Sequence, residues 1–380
     1  MMQDTSQIWW REITGPRSFV LAVAERLQET SLIVRVPDDL PWRHEMRQEI
    51  ESELREQYDY ADISVISIDA EEEVAGDEDV SSYILKRFAL GEVTRQYRKK
   101  SGKSIPQYIV EKQILKNNIL WIKGISREAL PKWLNFLCEY HACDPQDGRV
   151  VLEIRDDIVF QHPYSIEEIT YSSLISEYHL QLFCSILTDR IEGYSEDWKR
   201  YIATLAAHLC ETDAEIAEYY IGSFDHYQME PQEILSEIAQ DQDYSRRGAA
   251  RSSHHILSLV RAEESSKIQK RIWEAQLQTL FPVVESMRIT LIERIEEELR
   301  VLLNAQEIVQ FGERVESPHD VEWGTLSYVM TLSNLNNEYY LKSITGEDRK
   351  KIRQIRDLRN NLAHGDCCSA SETALILPRC

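Results

Sequence analysis

Four short runs rich in β-branched and apolar residues, spaced by longer helical patterns, restrict the first 165 residues more than any other feature. Residues 31–37, 61–68, 118–124 and 149–155 each read as a strand, and 61–68 alternates with period two. Helical patterns at roughly 43–57 and 127–140 fall between them. Strands joined through helices favour a parallel sheet, because a parallel pair needs a long crossover connection. The expected fold class is therefore an α/β sheet domain over 1–165, followed by all-helical material.

This arrangement resembles a nucleotide-binding α/β domain of the P-loop kind, and particular residues limit what the resemblance implies. No Gly-x-x-x-x-Gly-Lys-Ser/Thr occurs in the chain. Thr14-Gly15-Pro16-Arg17-Ser18 has a glycine but no lysine–serine pair for phosphate and magnesium. Ser101-Gly102-Lys103-Ser104 has that pair, but Tyr97 stands where the first glycine belongs and no apolar strand precedes it. The third strand ends in Ile122-Lys123-Gly124, where a P-loop enzyme carries an acid for its metal. Without a phosphate cradle the expectation is a degenerate domain kept for binding or regulation, with no cofactor.

The net charge of -22 works against long-range attraction to nucleic acid, so any RNA site has to be locally basic. One such stretch runs from Arg95 to Lys103, where Arg95, Arg98, Lys99 and Lys100 stand near Tyr97 and Tyr108. Basic side chains beside aromatics suit backbone contact with base stacking, and an exposed helix end explains the same composition. Between Asp69 and Asp79 lie seven acids and no bases, expected to form a solvated loop. No apolar run of about 18 residues could span a bilayer, and the start carries no signal-peptide pattern. Seven cysteines without framework spacing fit a reducing compartment. The expectation is a cytoplasmic chain with no membrane partner.

From 166 to 262 the pattern is helical, with apolar periodicity over 166–187, 195–208 and 213–221. His179, His208 and His226 show no metal-ligand spacing. Cys138-x-x-His141-x-Cys143 supplies three ligand types, but a closed structural zinc site needs four, so no metal is expected. The segment 241–253, rich in small and basic residues, is the expected hinge into the terminal domain and a secondary candidate for RNA contact.

From 263 the helical patterns lengthen. Pro282 either kinks the first or opens the next, and Val284, Met287, Leu291, Ile295, Leu299 and Leu302 form the following stripe. A short helix over 324–333 and a last one over 347–365 complete a four-helix bundle spanning 263–366. In the last helix Ile352, Ile355, Leu358 and Leu362 make the buried stripe. Arg356, Asn360 and His364 follow one another at four-residue spacing on another face. Arg359 lies roughly 140° around the helix from His364, at about 100° per residue. After Gly365 the residues 367–380 show no helical period and are expected to be a poorly ordered tail or short edge segment, with Cys367 and Cys368 as free thiols.

Arg359-Asn360-x-x-x-His364, with an apolar helix before it and Gly365 as its stop, resembles the signature of the HEPN superfamily. The resemblance covers about 100 residues and implies a metal-independent endoribonuclease with Arg359, Asn360 and His364 as catalytic residues. It further implies one active site built from two copies of the motif, hence a homodimer through the C-terminal bundle. In bacteria it points toward toxin action or antiphage defence, with tRNA or other cellular RNA as substrate and a defence-system protein as a further partner. The chemistry is coherent: RNA carries its own nucleophile in the 2′-hydroxyl, imidazole titrates nearest neutrality, and guanidinium matches phosphate oxygens. Arg353 and Arg356 belong to the same basic helix and would contact the RNA backbone. Two alternatives stand beside this: a non-catalytic HEPN-like scaffold in which Arg359 and His364 serve packing or capping, and a nucleotide-sensing regulatory subunit.

Overall fold

A computed structural model describes residues 4–57, 63–74, 78–97, 102–145, 148–244, 247, 254–334 and 336–377. The chain is mixed α/β and divides into two compact units: Met1–Phe183 with Thr212–Glu215, and Cys184–Glu211 with Ile216–Cys380. Much of the expected hinge, 245–246 and 248–253, lies outside the described residues.

The first unit is built on a parallel sheet of five strands: β1 (Leu32–Val36), β2 (Ser64–Asp69), β3 (Asn118–Lys123), β4 (Arg149–Arg155) and β5 (Glu167–Thr170), in the order β2-β3-β4-β1-β5. Val151 of β4 stands between Leu32 of β1 and Trp121 of β3. Helices α1 (Thr14–Glu29) and α2 (Arg43–Gln57) pack against one another. Helices α3 (Val80–Phe88) and α4 (Leu130–His141) share a core with Ile33, Leu120, Ile122 and Leu152. The central strands are buried along nearly their whole length, which is why they read as continuous apolar runs. Two buried charges on β4, Arg149 and Glu153, break the pattern, and Glu153 accepts hydrogen bonds from Trp121 Nε1 at 2.6 Å and Arg43 Nη1 at 2.8 Å.

Three expectations need correction. The helical reading of 166–187 gives way to β5, a short 3-10 turn and a helix starting only at Glu177. The strand is a half-exposed edge, so neither alternation nor an apolar run announces it. The acids after Asp69 are not all solvated loop: Asp69 caps a short helix, Ala70–Glu73, Glu73 accepts from Tyr83 Oη at 3.1 Å, and Glu78 pairs with Lys86 at 2.9 Å. Among the described residues, which run to Leu377, the tail is regular. It forms a helix, Ala370–Ile376, because Ser369 and Glu372 make a capping box and Glu230 accepts from the Ala370 amide at 3.0 Å.

The second unit contains α5 (Glu196–Cys210), α6 (Ser265–Arg294), α7 (Glu296–Ala305), α8 (Trp323–Val329), α9 (Gly346–His364) and α10 (Ala370–Ile376). Long α6 packs on α5 and also touches α9 and α10. Pro282 lies inside α6 without ending it, and the break comes instead at Ile295, which separates α6 from α7. Between α7 and α8 a two-stranded hairpin, Val309–Gln310 with Glu313–Arg314, turns through Phe311 and Gly312, both at positive φ. Among the described residues no helix is long and apolar enough to cross a membrane.

Candidate functional site

The expected motif occupies the second half of α9. Thr345 caps the helix in a reciprocal box with Asp348, and Gly365 ends it in the left-handed conformation at φ 90°. Thr345 and Arg294 together hold the Asp348 carboxyl below the usual carboxylate range. Ile352, Ile355, Leu358 and Leu362 are buried. Two α6 side chains fix the far end: Trp273 Nε1 donates to the Leu362 carbonyl at 2.7 Å, and the buried Gln276 amide joins both the Cys368 amide and carbonyl at 2.8 Å. Arg349 anchors the near end, donating to the carbonyls of Met330, Leu341 and Ile344.

Arg359 is half-buried. Its guanidinium carbon lies 5.8 Å from the centre of the Phe281 ring, and Nη2 stands 3.9 Å from Glu322 Oε2. Its Nε is buried with no hydrogen-bond partner among the described residues. Asn360 and His364 are exposed, His364 as the last helical residue. One chain thus presents Arg359 toward Phe281 and Glu322 while His364 stands in solvent at the helix end. Arg356 is engaged within the chain, donating to Ser327 Oγ at 3.0 Å and to Asp357 Oδ1 at 2.6 and 2.9 Å. Arg353 is exposed. Glu322 and Phe281 were missed by sequence reasoning, since no local pattern links positions 37 and 78 residues upstream to Arg359.

The neighbouring thiols are not poised for attack. Cys368 is buried, and burial pushes its thiol up to about 12. Burial raises Cys367 as well, and its Sγ donates to the Gln269 carbonyl. In the first unit, His141 Nδ1 lies 3.3 Å from Thr30 Oγ1 and Cys143 Sγ donates to the Glu139 carbonyl. Among the described residues no group of three or more His, Cys, Asp or Glu side chains is placed to hold a metal ion.

The two glycine segments weighed for phosphate serve other ends. Gly15 lies inside α1, where an added Cβ would sit 2.7 Å from the His179 ring. Lys103 pairs with Glu111 at 2.6 Å, and Ser104 caps the helix Ile105–Glu111. Of the basic run, Arg95 is exposed on the helix Gly91–Gln96, while Arg98, Lys99 and Lys100 lie outside the described residues. Tyr97 and Tyr108 pack on each other at 5.2 Å between ring centres, and Tyr108 is buried.

No protein-family model and no curated protein sequence matches this chain.

Proposed function

We propose that this chain is a metal-independent endoribonuclease of the HEPN type, acting as a homodimer through its C-terminal helices. The observation that carries the reading is the end of α9: a solvent-facing imidazole at His364 and, five residues earlier, a guanidinium with an unpaired Nε and a long 3.9 Å ion pair. His364 would take the proton of the ribose 2′-hydroxyl or give one to the leaving 5′-oxygen. Arg359 would neutralise charge that builds on the phosphoryl oxygens in the transition state. Asn360 would hydrogen-bond the strand or orient the imidazole. Within one helix Arg359 and His364 diverge, so a second copy related by a two-fold axis supplies the complementary pair across a shared groove. The wider role is a toxin-like effector in antiphage defence, cleaving tRNA or other cellular RNA, with the α/β unit regulating it and a defence partner protein engaging it.

The second reading is a HEPN-like scaffold without activity. The Arg359–Glu322 pair favours it, because a carboxylate beside the guanidinium competes with phosphate.

The experiment is cleavage of RNA in chelator by wild type, Arg359→Ala and His364→Ala. We expect each substitution to lower the rate at least a hundredfold, within the usual range for acid–base and oxyanion groups. Equal rates in all three would remove the nuclease and leave the scaffold.

A further inference from the structure

Beside Arg359 runs a groove that the cleavage chemistry leaves unused. We infer that it seats one nucleoside of the bound RNA strand, adjacent to the phosphate that Arg359 holds. This rests on the ribonuclease reading.

The groove, about 550 Å³, lies between the second half of α6 and the first half of α9, with Trp323 of α8 in its wall. That volume falls within the roughly 300–1,000 Å³ usual for small-ligand sites. Its apolar lining comes from Met287, Leu291, Ile352, Ile355 and Trp323. Two of its lining residues, Pro282 and Trp323, are chain neighbours of Phe281 and Glu322, the residues that meet Arg359. On α9, Arg359 follows Ile355 by one turn and Ile352 by two, so it continues the same stripe beyond the groove.

The charges around the lining are not balanced. Asp348 pairs with Arg294 at 3.3 Å and Asp197 with Arg200 at 3.4 Å. Lys351 is exposed and has no ion-pair partner among the described residues. Lys351 and Arg359 therefore stand about 12 Å apart along α9, at 1.5 Å per residue, as two cations flanking an apolar floor. A flat apolar body with an anion on each side is the chemistry of a nucleoside between two phosphates.

The test uses the full chain and a fluorescent 2′-O-methyl RNA octamer, which lacks the attacking hydroxyl and cannot be cleaved. Binding is read by anisotropy for wild type, Leu291→Trp, which fills the groove, and Lys351→Glu, which inverts the free charge. We expect each substitution to weaken binding at least tenfold. Lys351 is exposed, so that variant keeps the test decisive if Leu291→Trp misfolds. Wild-type affinity in Lys351→Glu, or no octamer binding by wild type, overturns the assignment. If wild type leaves ordinary RNA intact but binds the octamer in a groove-sensitive way, the nuclease reading fails and the groove assignment stands. Cleavage by wild type with unchanged octamer binding in both variants gives the reverse result.

Discussion

Arg359 carries the weight of both functional readings, and magnitudes help to separate them. Its pair with Glu322 is long and both side chains keep about a third of their exposure, so the pair is worth at most about 1 kcal/mol. A bidentate phosphate contact is a stronger, charge-assisted bond, so Glu322 does not by itself bar RNA. A second residue, His226, sets a pH limit on the fold. It is 5% exposed beside Tyr220, and burial pushes its imidazole down to about 4, against weaker opposing effects of the Ile221 and Tyr220 backbone and of Asp225. A histidine lowered in the folded state binds its proton more readily when unfolded. Its stabilising contribution is therefore complete above about pH 6.5 and is lost as pH falls toward 4. Urea unfolding of wild type at pH 7 and pH 4.5 should show a loss on the order of 2–3 kcal/mol from this group. His226→Phe, which cannot titrate, should lose that much less over the same interval.

At the scale of elements, both ends of α9 can be tested without touching the motif. Gly365 has φ 90°, and nothing lies within 4 Å of where a Cβ would be, so Gly365→Ala carries only a backbone cost. That cost is about 1–2 kcal/mol, and Thr345→Ala at the other end should cost about 1 kcal/mol through the lost cap. Thermal melts of the two variants and their double check both values, which should add because the sites are remote. This helix was legible because its apolar stripe and its glycine stop agree in the sequence. Strands β1, β3 and β4 were legible for a related reason, since burial on both faces leaves apolar runs. Edge strand β5 was not, because half of it faces solvent. The Ser369…Glu372 spacing is the one local signal for α10, a capping box without a helical period behind it. Pro282 shows the limit of a local rule: tertiary packing of α6 against α5 carries the helix through it. Nothing local could place Phe281 and Glu322 against Arg359, because only folding brings them together.

At the scale of the whole molecule, the net charge of -22 opposes RNA at a distance, so the proposed RNA capture would depend on the bases concentrated on α9. Several of those are already engaged, Arg349 with three carbonyls and Arg356 with Ser327 and Asp357. The second whole-molecule feature is the path of the chain, which leaves the first unit after Phe183 and returns to it for Thr212–Glu215. The return is used: the Glu215 carboxylate accepts the backbone N–H of Trp42, a residue at positive φ. Glu215→Ala should cost about 1 kcal/mol in urea unfolding by removing the acceptor of that half-buried donor. A protein stitched in this way resists dissection with scissors. Any single cut strands a thread of one half in the other, so a truncated piece that loses a measured property reports torn fabric and not the seat of that property. Mapping what each half does calls for substitutions within an intact polypeptide.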